Sequence, residues 1–192
     1  MFYMIDLNEH MNHKMIFTDD EFNECNVLFD DFGLSMDCHR HFCQKSFFVN
    51  KTFSCGEVCF KSPPVDVKKY DNISCNGQKI QLRAEAYHTV HYIGYCDVGR
   101  FREPVTFYRQ DITAGNSDLF FYDWGIKGNT IREYDIKNDS CRIAFTDEKE
   151  YEKDYLFIYS TPIDALTKEP LFDALLLPQN PFMHIFAITL EV

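Results

Sequence analysis

Four cysteines and two histidines crowd one stretch of this 192-residue chain: Cys38-His39-Arg40-His41-Phe42-Cys43, then Cys55 and Cys59. The spacing, C-x4-C-x11-C-x3-C with histidines in the first loop, approaches that of tetrahedral zinc, which needs thiolates and imidazoles on short loops that can converge. The competing chemistry is oxidation. Cys25, Cys75, Cys96 and Cys141 bring the total to eight cysteines, and these need partners as well, which favours disulfides over a metal. Five of the eight precede residue 60, so at least one of those five pairs elsewhere or stays free. Asn50, Asn72 and Asn138 each open an N-x-[ST] triplet and are candidate glycosylation sites. Cysteines and triplets together point to an extracellular, oxidising setting. Residues 1–15 lack the apolar run and basic leader of a signal peptide, which makes the cytoplasm the alternative.

Other constellations are weaker. His88-Thr89-Val90-His91 holds half of a two-histidine phosphodiesterase signature, but the later His184 is followed by Ile185-Phe186 and supplies no second half. On a strand, His88 and His91 would face opposite sides. No nucleophile elbow, phosphate-binding loop or dinucleotide fingerprint is present, so no catalytic residue and no cofactor is expected. A net charge of −11 excludes a nucleic-acid partner and an anionic membrane surface. No apolar run approaches the roughly eighteen residues of a membrane-spanning helix. Acidic pairs such as Asp19-Asp20 and Asp147-Glu148 lack the ligand alternation of a calcium loop.

The elements that must position these groups read mainly as strands. The composition has 19 Phe and 11 Tyr against a single Trp, which favours strands and also suits the lining of an apolar cavity. Lys61-Ser62-Pro63-Pro64 marks a boundary between a cysteine-rich segment, 1–60, and a β-rich domain, 61–192. Period-two alternation predicts a strand over Lys79–Val90, and further strands are expected at 105–109, 119–124 and 155–159. Ile131–Lys137 and Cys141–Phe145 read as a hairpin with Cys141, Ile143 and Phe145 on one face. Residues 183–190 are apolar at both parities and predict a strand buried on both faces. Pro170, Leu171–Leu177 and Pro178 suggest one short helix, and 19–32 a second. The expected fold is therefore β-rich: a curved antiparallel sheet or open barrel with one or two short helices.

The stretch Leu119-Phe120-Phe121-Tyr122-Asp123-Trp124, followed by Arg132-Glu133-Tyr134-Asp135-Ile136 and Asn138-Asp139-Ser140-Cys141-Arg142-Ile143, resembles secreted animal proteins of the LolA-like type and, more distantly, ependymin-related proteins. The alternating strand at 80–86 and Cys59 with Pro63-Pro64 extend the resemblance over about residues 59–164. It implies a strongly curved sheet that binds a hydrophobic small molecule without catalysis. The apolar positions of successive strands nominate Leu82, Ala84, Phe107, Phe121, Tyr134 and Ile143 as ligand-lining residues. The alternatives are an extracellular, disulfide-stabilised structural or interaction domain and an intracellular zinc-stabilised adaptor. Neither identifies a protein partner.

Overall fold

The structure is a computed structural model that describes residues 1–17, 42–43, 51–63, 70–123, 141–148, 153–168 and 170–192. Its strands are β1 (Phe2–Met4), β2 (Ile16–Phe17), β3 (Phe42–Cys43), β4 (Thr52–Cys55), β5 (Val58–Lys61), β6 (Ile73–Asn76), β7 (Lys79–Ala86), β8 (Thr89–Cys96), β9 (Arg100–Arg109), β10 (Ile112–Tyr122), β11 (Cys141–Glu148), β12 (Lys153–Pro162), β13 (Asp164–Ala165), β14 (Leu171–Leu176) and β15 (Gln179–Glu191). A large six-stranded sheet runs β1-β15-β8-β12-β11, with β6 also paired to β15. A smaller five-stranded sheet runs β13-β10-β9-β14-β7. Both are antiparallel, and they face each other as a curled sandwich. The pairs β2–β3 and β4–β5 form two separate two-stranded ladders.

The predicted strand over Lys79–Val90 is two strands. Tyr87-His88 forms a corner that carries the chain from the edge of the small sheet into the middle of the large one. Tyr87 pins the corner: its hydroxyl donates to the Arg83 carbonyl at 2.7 Å, and its ring stacks on Tyr3. Residues 183–190 lie in β15, at the centre of the large sheet and buried throughout, as their unbroken apolarity predicts.

No helix occurs among the described residues, which corrects the expectation at 170–177. That segment is β14, seated between β9 and β7. Phe172, Ala174 and Leu175 are buried there, and the flanking prolines sit just outside the strand, where a missing N–H costs no ladder bond. A leucine-rich run of this length carries no intrinsic choice between helix and strand, and sheet pairing decides it. The second helix candidate, 19–32, lies outside the described residues, as does Ile131–Lys137 of the predicted hairpin. Its second half is β11, which pairs with β12, placing Cys141 opposite Tyr159 and Ile143 opposite Phe157. A bulge at Ala144 then sets Phe145 opposite Leu156, so Phe145 leaves the face that Cys141 and Ile143 share.

The sandwich core is aromatic. On β8, Tyr92 and Cys96 turn toward the small sheet: the Tyr92 hydroxyl meets Ser117 Oγ at 3.3 Å, and the Cys96 thiol donates to the Phe121 carbonyl at 3.3 Å. β10 is held from both sides. Leu119 and Phe121 are fully buried, while Phe120 and Tyr122 pack on Tyr159 and Phe157 of β12. Arg102 closes this seam, with its guanidinium 4.7 Å from the Phe120 ring centroid and donating to the Tyr159 hydroxyl at 3.0 Å and to Asp118 at 3.1 Å.

The large sheet also has a covered outer face. The hairpin of β4 and β5 lies over it: Phe53 packs on Phe60 and Phe145, and Thr189 Oγ1 donates to the Cys59 carbonyl at 2.7 Å. The expected boundary between residues 60 and 61 falls inside β5. Among the described glycines, Gly94 has the tightest surroundings. A Cβ there would lie 2.0 Å from the His184 carbonyl oxygen and 2.5 Å from Phe121 Cε2. The obstruction is partly backbone, which cannot rotate away. Gly94→Ala is therefore expected to destabilise the fold by about 1–3 kcal/mol or more, read from the urea midpoint at unchanged m-value.

Candidate functional site

Five buried polar side chains, Asp71, Asn72, His91, His184 and Thr189, gather on the outer face of the large sheet. Alternation along β8 places His91, Ile93 and Tyr95 there, opposite to Tyr92 and Cys96. Two clusters result, one at each end of the strand.

The first is built on His184 of β15, which pairs with Tyr95 and stacks on its ring at 4.7 Å. His184 Nδ1 meets Asn72 Oδ1 at 3.0 Å, and its Nε2 meets Asp97 Oδ2 at 2.9 Å. His13 Nδ1 reaches the same Asn72 oxygen at 3.2 Å, with the two imidazole centroids 4.5 Å apart. Asn72 Nδ2 donates to Asp71 Oδ1 at 2.9 Å, which fixes the amide orientation and leaves Oδ1 as the acceptor for both rings. Both Nδ1 atoms therefore carry hydrogen. Each nitrogen of His184 faces an acceptor, an amide oxygen on one side and a carboxylate on the other. Asp71 in turn accepts from the Met15 amide at 3.0 Å and pairs with Lys14 at 3.0 Å. Main-chain bonds between His13 and Asn72 complete the clasp. Its placement shows what it does: it fastens residues 12–15 across the sheet.

The second cluster joins three strands. His91 of β8 pairs with Ser160 of β12 and Thr189 of β15. Its Nδ1 meets Ser160 Oγ at 2.8 Å, and its Nε2 lies 3.7 Å from Glu191 Oε2. Burial holds the His91 pKa below its ordinary 6.5; Glu191 opposes that shift and Arg142 adds to it. Phe2 of β1 meets the imidazole edge-on at 5.9 Å.

The expected ligand-lining residues are divided between the core and the surface. Leu82, Phe107 and Phe121 are buried between the sheets, and Phe107 packs on Phe172 at 5.3 Å. Ala84 is exposed on β7, where the register against β14 shifts and interrupts the alternation of faces. Ile143 is 42% exposed on β11, and Tyr134 lies outside the described residues.

Cys55, Cys59, Cys75 and Cys96 form no disulfide, contrary to the sequence expectation; they are thiols. Cys141 is buried, Cys25 and Cys38 lie outside the described residues, and of Cys43 the backbone alone is described. Cys55 pairs with Val58 and Cys59 with Ser54, so the two thiols leave the β4–β5 hairpin on opposite faces. They cannot converge on one zinc ion, and no metal-ligating cluster is found among the described residues. Asn72 is wholly buried with its amide nitrogen already bonded, which leaves no room for a glycan in this fold; Asn50 and Asn138 lie outside the described residues. His13, Asn72, Asp97 and Ser160 carry no signature that links them in sequence.

Comparison with known families accounts for the architecture. The model of the AziU2-like β-sandwich domain matches residues 21–192. The chain belongs to that family. The AziU2-like domains are a bacterial family, which overturns the resemblance to secreted LolA-like and ependymin-related proteins. The motifs behind that resemblance, aromatic strand ends and a polar turn, follow general strand and turn preferences and do not mark one family. Nothing among curated proteins matches the chain.

Two outcomes follow. His13 has its pKa lowered to about 3, chiefly by burial and then by His184, with Asp97 opposing. A ring that must stay neutral contributes stability that is full above its unfolded value of 6.5 and is lost as pH falls from 6.5 toward 3. Replacing it, as in His13→Gln, should reduce the proton uptake on unfolding by about one across that window, measured by urea titrations at successive pH values. Burial likewise raises the Cys96 thiol to about 12. Under non-reducing conditions a maleimide should label half-buried Cys55 and Cys59 in the folded protein, and Cys75 and Cys96 after denaturation, read by peptide mass spectrometry.

Proposed function

We propose that the chain is a structural or interaction module that works through its surface and does not enclose an apolar ligand. The observation that carries this reading is the filling of the space between the sheets. Phe107, Phe121, Phe157 and Phe172 are wholly buried there, together with Tyr92. An apolar carrier needs an interior left open by small side chains, and such pockets run to roughly 300–1,000 Å³. Here the small residues facing inward, Gly94 and Gly115, are each already met by a phenyl ring: Phe121 lies against the first and Phe172 against the second.

The test separates packing from lining. A fluorescent fatty acid titrated into the protein is expected to show no saturable binding. Phe107→Ala and Phe121→Ala should each cost about 3–5 kcal/mol, because a filled core collapses incompletely around a deleted ring. Ala84→Phe, on the exposed side of β7, should change stability by no more than about 0.5 kcal/mol. Saturable binding that Phe107→Ala strengthens, with little loss of stability, would restore the carrier reading.

A further inference from the structure

The array Glu191, His91, Ser160 sits on strands that main-chain ladders already join, and its geometry goes beyond a surface-acting module. We propose that Ser160 is an activated nucleophile that accepts an acyl group from an ester or thioester. Ser160 is partly exposed, at the surface end of the array, whereas His91 is 6% exposed. His91 Nε2 has no hydrogen-bond partner among the described residues, and the nearest carboxylate oxygen, of Glu191, stands 3.7 Å away. A lone pair on Nε2 would face that negative charge, so the ring proton belongs on Nε2. Nδ1 is then the acceptor, and the Ser160 hydroxyl donates to it across 2.8 Å. This is the relation of nucleophile to base to orienting carboxylate, with the ring used in the opposite sense to the familiar one.

The remaining parts come from neighbouring strands. Arg142 pairs with Ile158, which lies two residues from Ser160 on β12, so its exposed cation shares the outer face and stands diagonally beside the hydroxyl. It supplies positive charge where an oxyanion would form. Glu191 is a positioning residue, since it touches His91 and not the reacting atoms. In the step itself Ser160 Oγ bonds to the acyl carbon and its proton passes to His91 Nδ1. The carbon–oxygen or carbon–sulfur bond of the donor breaks, and the leaving alcohol or thiol takes that proton. The product is an ester on Ser160, with no oxidant or reductant required.

The probe is p-nitrophenyl acetate with the intact chain, followed by release of p-nitrophenolate and by peptide mass spectrometry. Acetylation is expected at Ser160, faster than at exposed Ser54, and absent from Ser160→Ala. His91→Gln should slow it about 100-fold. Because His91 is buried, each variant is first compared with the wild type by thermal unfolding, and exposed Glu191→Gln provides a change that spares the core. Glu191→Gln should slow acetylation about tenfold and shift its pH dependence, a change that a purely structural hydrogen bond would not produce. In the wild type the rate should hold to below pH 6.5 before falling, following the lowered titration of His91. Absence of acetylation at Ser160, a rate no greater than at Ser54, or a rate unchanged in a folded His91→Gln or Glu191→Gln variant would overturn the proposal.

Discussion

The large sheet is covered on both faces, and most of the structure follows from that. β8 and β15 lie between the small sheet on one side and residues 5–15 with the β4–β5 hairpin on the other. Side chains of both parities must therefore leave water. On the inner side this is met with aromatic and aliphatic groups. On the outer side the cover is short and irregular, and its backbone needs partners inside the molecule, since an unpaired buried peptide group costs as much as a lost hydrogen bond. The polar residues of the outer face supply them. Asp71 takes the Met15 amide, Thr189 donates to the Cys59 carbonyl, and Asn12 exchanges bonds with both the amide and the carbonyl of Ser74. The buried polar groups are the fittings that attach a third layer to a two-layer sandwich.

Close packing on both faces also explains where the sheet bends. The register of β15 shifts between Ile185 and Ala187 against β8, and again between Asn180 and His184 against β6. Each bulge adds local twist, and together they let one strand of thirteen residues serve β1, β6 and β8. Gly94 stands beside the first of these bulges, where the β15 backbone and Phe121 converge and no side chain fits. At the far side of the small sheet, β10 is embraced by the curl, and Arg102 covers the seam with stacked aromatic contacts that a lysine could not reproduce.

Much of this architecture was legible in the residues. Alternation located β7, and unbroken apolarity located β15, because those patterns report burial directly. The leucine run at 171–177 was not legible as a strand, since its composition suits either state and its neighbours β9 and β7 decide the matter. Bulges hid the faces of Ala84 and Phe145, because a single extra residue inverts every later assignment in a strand. The cysteines misled for a related reason. Their spacing suggests convergence, but Cys55 and Cys59 stand on opposite sides of one hairpin. The histidine clusters were invisible because their members are remote: His184 and Asn72 are 112 residues apart, and His91 and Ser160 are 69 apart. A central strand that gathers partners from both ends of the chain leaves no local motif.

The two clusters share chemistry but differ in which end meets solvent, and that difference assigns their roles. In the clasp the imidazole of His184 lies inward at 2% side-chain exposure, with the Asp97 carboxylate outermost at 13%. Both ring nitrogens of His184 already face an acceptor, and so does His13 Nδ1, so His184 has no nitrogen left to act on a molecule from outside. Such an arrangement holds a segment down and nothing more. At the other end of β8 the order is reversed. The imidazole of His91 is shielded, but its bonding partner is a hydroxyl at the surface, and a hydroxyl that donates to a neutral ring keeps its own lone pairs free. The same residue type, on the same sheet face, is spent on attachment where its partners are buried and becomes available for chemistry where its partner is not.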